Sequence, residues 1–176
     1  TSSDKFAGDF GSKSRDAVRD AVGIFDGVRI RHDTDAKNHW ELLGHEGSYN
    51  AMGIEGQIFG KGAELIVGDD IIRSPDQALS KTQRDKAWDR WISVVESRAN
   101  PQTKFCCIGT RWHADDLIGR VEREIGRGLR PNWEVIRLPA LAEAGDPIGR
   151  SVGESLWPDK FPREYYELKR LRADAD

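Results

Sequence analysis

The chain has 176 residues, 38% hydrophobic and 32% charged, with a formal net charge of −3, the profile of one globular domain long enough to form a core. No apolar stretch approaches the roughly 20 residues of a membrane span, and no signal peptide is expected. The slightly acidic balance excludes the global basicity of many nucleic-acid-binding domains and leaves room only for a local basic patch.

In chain order, Ser3 or Asp4 is placed to cap a helix running to about Val22. Phe6 and Phe10 lie one turn apart. Ala17, Val18 and Val22 continue the apolar stripe, and Gly23 suits its end. Gly8 and Gly11 each cost about 1 kcal/mol of helix propensity. Residues 24–30 read as a short strand, 32–39 as a polar connection, and 40–47 have no clear period. The loose alternation over 49–60 predicts a β-hairpin turning near Ile54-Glu55-Gly56-Gln57. Gly60 and Gly62 then serve as turn residues leading into the next strand.

That strand, Leu65-Ile66-Val67-Gly68-Asp69-Asp70, is a short apolar run ending on two adjacent carboxylates. Such a run suits a strand buried on both faces of a helix-covered parallel sheet. Its carboxyl end lies where open α/β sheets bind ligands. Two acids there have a chemical use beside a phosphate: one holds Mg²⁺, the other orients or deprotonates the attacking water. The same pair also suits a plain exit into a polar loop.

Residues 71–76 read as a loop with a turn signal. Ser80 and Gln83 form a capping box that starts a helix. Trp88, Trp91, Ile92 and Val95 fall on one face at helical spacing, which favours core packing over a nucleic-acid stacking platform. Asn100-Pro101 ends this helix, and 104–109 form the next strand. Cys106 and Cys107 point to its opposite faces, as buried small hydrophobes in a reducing cytosol rather than a disulfide framework or metal site. Strand, helix, strand with a right-handed crossover puts both strand ends on one edge. Thr110, Arg111 and His113 are therefore expected beside Asp69 and Asp70.

A helix follows from Ala114-Asp115-Asp116-Leu117, with Leu117, Val121 and Ile125 inward and Gly126 and Gly128 at its end. The helix dipole is a sufficient role for Asp115 and Asp116 in its first turn. Residues 134–138 read as a third strand and 145–161 as a loop. Pro162 opens a last helix with a Tyr165, Leu168, Leu171 stripe, and 173–176 read as a frayed end.

Four segments in this order resemble the large subunit of tailed-phage terminases, the ATPases that package viral DNA. They are Ser2-Ser3-Asp4 with the Phe10, Lys13, Arg15 helix; Gly56 through Asp70; Gly109-Thr110-Arg111-Trp112-His113-Ala114-Asp115-Asp116-Leu117; and Asp146-Pro147-Ile148-Gly149-Arg150 through Gly153-Glu154-Ser155-Leu156-Trp157-Pro158. Arg84-Asp85-Lys86-Ala87-Trp88-Asp89 is similar to the family's intervening helix.

The resemblance implies an α/β fold of the three-layer P-loop NTPase type, additional-strand class. Its sheet is mainly parallel, with flanking helices and a β-hairpin insertion, and incomplete at the N-terminus. Residues 1–142 would form the later part of the ATPase domain, and 143–176 a linker and helix toward a nuclease domain. The implied cofactors are Mg²⁺ and ATP. Asp69 would hold Mg²⁺, and Asp70 would activate water where many relatives have Glu. Gly109 and Thr110 would sense the γ-phosphate and relay its loss, with Arg111 and His113 in the same segment. Implied partners are double-stranded viral DNA, the terminase small subunit, the portal protein and further copies in a ring. No membrane is involved, and the location is the cytoplasm of a bacterial host.

The sequence departs from that pattern in having no G-x-x-x-x-G-K-[ST] loop. The family places this loop upstream of Ser2-Ser3-Asp4 and an RNase H-like nuclease downstream of Trp157-Pro158. The chain is thus expected to be an internal piece of the motor that by itself binds ATP poorly. The family's sheet order would leave a slot between the 104–109 strand and the 133–138 segment, closed by direct pairing of that segment or by a second copy. Two other readings remain open. One is a metal-dependent nuclease or phosphohydrolase using Asp69, Asp70, Asp115 and His113; the other is a non-catalytic interaction domain.

Overall fold

A computed structural model describes residues 1–24, 27–56 and 62–173. They form two units, Thr1–Arg127 and Gly128–Asp176. The first holds α1 (Asp4–Asp20), β1 (Ile30–Ala36), β2 (His39–Leu42), β3 (Ser48–Asn50), β4 (Ala63–Asp69), α2 (Pro75–Leu79), α3 (Lys81–Arg90), β5 (Ala99–Ile108) and α4 (Leu117–Gly126). The second holds α5 (Arg163–Ala173). The fold class is mixed α/β.

Ser3 caps α1 as expected: its extended backbone lets the hydroxyl accept from the Phe6 amide. The face α1 buries is not the aromatic one. Ala7, Gly8 and Gly11 are buried, while Phe6 and Phe10 each stay 42% exposed, stacked edge to face. Small residues win because α1 lies directly on hairpin backbone. A Cβ on Gly11 would sit 2.1 Å from the Lys37 carbonyl oxygen, and the Trp40 indole donates to the Gly11 carbonyl at 3.2 Å.

The antiparallel hairpin falls earlier than expected. It joins β1 and β2 through Lys37 and Asn38, and β3 continues it as a three-stranded antiparallel sheet, β1-β2-β3. Ile24 sits in a turn, so the strand begins at Ile30 rather than spanning 24–30; Phe25 and Asp26 lie outside the described residues. Trp40 stacks on Tyr49 with centroids 4.9 Å apart, and that cross-strand pair overrides the absent period of 40–47. Ile54 to Gly56 form a turn, while the expected second arm, 57–61, is not described.

β4 and β5 pair in parallel, the arrangement expected of a strand–helix–strand unit. The ladder joins Leu65 to Lys104, Val67 to Cys106 and Asp69 to Ile108. β5 begins before the expected Lys104: Ala63 faces Ala99, and the register then slips over a stretch that contains Pro101. Proline, lacking an N–H, fits such an irregularity. β4 is not buried on both faces. Gly68 turns toward the helical layer, where a Cβ would lie 2.7 Å from the Trp91 ring. On the opposite face Leu65 and Val67 are 61% and 51% exposed, and Ile108 is 54% exposed. Cys106, paired with Val67 on that face, is exposed rather than buried. Among the described residues the parallel sheet has two strands, β4 and β5, and the antiparallel strands form a separate sheet of three.

Between the parallel strands, α2 occupies part of the expected loop, with Pro75 in its first turn. Ser80 caps α3 by accepting from the Gln83 amide. The helix then loosens into a π turn, Trp91–Val95, and a 3₁₀ turn, Glu96–Arg98. The buried side chains are Arg84, Ala87, Trp91 and Val95, while Ile92 is 37% exposed. Trp91 is the anchor, at 1% exposure, with its ring 6.1 Å from that of Phe105.

In the second unit the expected strand over 134–138 is absent. Val135, Ile136 and Leu138 are 43%, 66% and 46% exposed, and no strand partner is described beside them. Apolar alternation alone does not make a strand, because its backbone groups need a ladder. The irregular backbone is held instead by the Leu141–Ser155 bridge, reciprocal Ala142–Glu154 and Gly153–Ala142 hydrogen bonds of 2.8 Å each, and a buried Arg150–Asp146 ion pair at 2.6 Å. Among the described residues no helix is long and apolar enough to cross a membrane.

Candidate functional site

The two strands of the parallel pair end at one edge, and the sequence-predicted residues lie along it. Asp69 closes the ladder opposite Ile108, so Thr110 sits two residues past the point of pairing rather than directly across from Asp69. The Asp70 amide still donates to the Ile108 carbonyl at 3.1 Å. A small depression follows, lined by Asp70, Ile71, Gly109, Thr110, Asp116 and Leu117. It offers about 20 Å³, room for roughly one water molecule. Asp70, Gly109 and Thr110 thus share one space, while Asp69, the last residue of β4, is not among its lining residues.

Asp70 has φ of +42°, and among the described residues it is the one non-glycine in the left-handed region. Aspartate enters that region more easily than most side chains but still at a cost. The strain is set where chain direction must change at once after β4. It directs the side chain toward β5: one carboxylate oxygen lies 3.5 Å from where a Gly109 Cβ would be. Replacing Asp70 by glycine should relieve the strain and raise unfolding stability by up to about 1 kcal/mol. Urea denaturation of wild type and Asp70→Gly checks this; a less stable variant would mean that the carboxylate itself holds the turn.

The segment 1–4 is tied to residues 53–54: the Thr1 carbonyl accepts from the Ile54 amide at 2.6 Å, and the Asp4 carboxylate accepts from the Gly53 amide at 2.7 Å.

Arg111 leaves the edge and is held at the start of α4. Its Nε lies 3.0 Å from Asp116, and a terminal nitrogen lies 2.5 Å from Glu122. His113 Nδ1 accepts from the Asp115 amide at 2.9 Å. Asp116, 3% exposed, caps α4. It was expected to serve the dipole within the first turn; it stands one step earlier and accepts four hydrogen bonds from three backbone amides and Arg111. Sequence reasoning missed this hub, although an aspartate three residues before Gly119 carries the spacing of a side-chain cap.

Asp115 has a different role again. Arg120 grips it at 2.7 Å, Arg123 binds its other oxygen, and Arg84 approaches at 3.4 Å. Arg120 also reaches Asp85 on α3 at 2.6 Å. The network ties α3 to α4. The Arg120 hydrogen bond, followed by that of Arg123, holds the Asp115 carboxyl well below the usual carboxylate range. A depressed folded-state value stabilises the fold above the unfolded value, about 3.9, and this contribution is lost as pH falls from there toward the folded value. The stability gap between wild type and Asp115→Asn should therefore be constant near neutrality and close below about pH 4. Urea midpoints at pH 7 and pH 2.5 measure it, and a gap that widens in acid would contradict the assignment.

Among the described residues no group of three or more His, Cys, Asp or Glu side chains is gathered for a metal. Mg²⁺ does not require one, because it keeps several waters and uses one or two carboxylates plus substrate phosphates. Asp69 and Asp70 are the two carboxylates at the end of β4. Asp115 does not suit a cation site, since three guanidinium groups already surround it.

Compared with known proteins, the chain matches no family model and no curated protein.

Proposed function

We propose that the chain belongs to the ATP-hydrolysing motor of a phage terminase large subunit, in which a P-loop NTPase-like core drives double-stranded DNA into a procapsid. The observation that supports this best is the parallel β4–β5 pair with Asp69, Asp70, Gly109 and Thr110 gathered at its carboxyl edge. That edge is where α/β sheets place phosphate chemistry. Bound Mg²⁺ would draw charge off the phosphates of ATP. Asp69, the last residue of β4, is the residue to hold it. Asp70, pre-set by its left-handed backbone, accepts the proton of the attacking water. Thr110 sits across the depression, where loss of a phosphate alters its surroundings, and the turn after it passes that change to α4. The phosphate cradle, the viral DNA, the small subunit, the portal and a ring of copies belong to this proposal as the remaining parts of the machine.

The nuclease reading is disfavoured by the arginines around Asp115 and by His113 Nδ1, which is committed to a backbone amide. The test of the ATPase reading is phosphate release from ATP by the complete protein, with and without Mg²⁺. Metal-dependent turnover that vanishes in Asp69→Ala is expected. Turnover that survives in Asp69→Ala would overturn the proposal.

A further inference from the structure

We infer that Asp116 is a positioning residue for the edge, an inference that rests on the reading of Asp69 and Asp70 as its acting acids. A plain helix cap needs one bond, here the Gly119 amide donating to Oδ1 at 2.9 Å. Asp116 does much more. Its Oδ2 accepts from the Trp112 amide at 3.1 Å and the His113 amide at 3.2 Å, and Arg111 Nε lies 3.0 Å from Oδ1. These extra donors all come from the three residues directly after Thr110. Asp116 also lines the depression that holds Asp70 and Thr110.

The site is built rather than incidental. Asp116 is 3% exposed, and a buried polar group needs hydrogen-bond donors to offset its lost hydration. The turn it gathers is folded tightly on α4: a Cβ on Gly119 would lie 2.2 Å from the Ala114 carbonyl oxygen. One carboxylate therefore joins the Thr110 side of the edge to the first turn of α4. The two move as one body, and Thr110 keeps its place on the depression it shares with Asp70 only while that joint is intact. Asparagine in its place offers one acceptor oxygen and cannot serve Gly119 and the Trp112–His113 amides together.

In the complete protein, Asp116→Asn should lower kcat for Mg-ATP at least about 10-fold with KM within about 3-fold. Ser80→Ala, which removes a cap remote from the edge, should leave both near wild type. Equal kcat in wild type and Asp116→Asn would overturn the inference. If wild type turns over no ATP, the ATPase reading fails, and amide hydrogen exchange on the 176-residue chain decides the positioning claim by itself. The wild-type amides of Trp112, His113 and Gly119 should then open together, with one protection factor within about 3-fold and one denaturant dependence. All three should exchange at least about 10-fold faster in Asp116→Asn. Gly119 opening separately from Trp112 and His113 in wild type would reduce Asp116 to an ordinary cap and overturn the inference, whether or not the variant folds.

Discussion

Asp70→Asn is expected to lower ATP turnover by the complete protein by about 10²–10⁴-fold while leaving nucleotide binding within a few-fold of wild type. The two side chains have nearly the same shape, so the depression keeps its walls. What disappears is the negative charge and the ability to take a proton from water. The left-handed backbone of residue 70 is not disturbed either, because asparagine tolerates φ of +42° at least as well as aspartate. Stability should therefore change little, and loss of turnover cannot be put down to unfolding. Asp69→Ala behaves differently: removal of a metal-holding carboxylate should weaken Mg-ATP binding as well as turnover. Calorimetry and phosphate release on both variants separate the two roles. Equal rates in Asp70→Asn and wild type would remove Asp70 from the chemistry.

The largest loss of stability is expected from Trp91→Ala. Trp91 is 1% exposed. Its ring presses on β4 at Gly68 and faces Phe105 of β5, and its indole nitrogen bonds Glu96 at 2.5 Å. It reaches both parallel strands from the helical layer. Truncation leaves a cavity under the sheet and costs about 3–5 kcal/mol, a large share of the 5–15 kcal/mol typical of a domain. A urea midpoint unchanged in Trp91→Ala would show that the helical layer does not hold β4 and β5 together. Gly68 belongs to the same contact: a side chain there must displace the ring, so even Gly68→Ala should destabilise.

The parallel pair was legible in the sequence because two separate signals agreed. Apolar runs at 65–68 and 104–109 flank a segment with a capping box, and a crossover of that length admits one handedness. Ser3 and Ser80 were legible for a similar reason, since a cap is a local device. The antiparallel sheet was not. Trp40 and Tyr49 recognise each other across strands, and their pairing cannot be seen within 40–47 alone. The buried face of α1 was misjudged because Gly8 and Gly11 read as weaknesses in a helix, whereas they allow its close approach to Lys37 and Trp40. The segment 134–138 has the composition of a strand but no described partner. At the edge itself, Asp70, Gly109 and Thr110, which follow the two strands, line one depression, while Asp69 is still part of β4. Arg111 is drawn away by Asp116 and Glu122, contacts that depend on how the 111–116 turn folds back on α4.

The central claim is that the carboxyl edge of β4 and β5 receives a metal nucleotide. It is tested most directly by adding Mn²⁺ with ATP to the isotope-labelled complete protein and recording paramagnetic broadening of its backbone amides. The account predicts that Asp69, Asp70, Gly109 and Thr110 broaden first, and that Asp69→Ala abolishes the effect. Broadening centred elsewhere, or unchanged in Asp69→Ala, would contradict it.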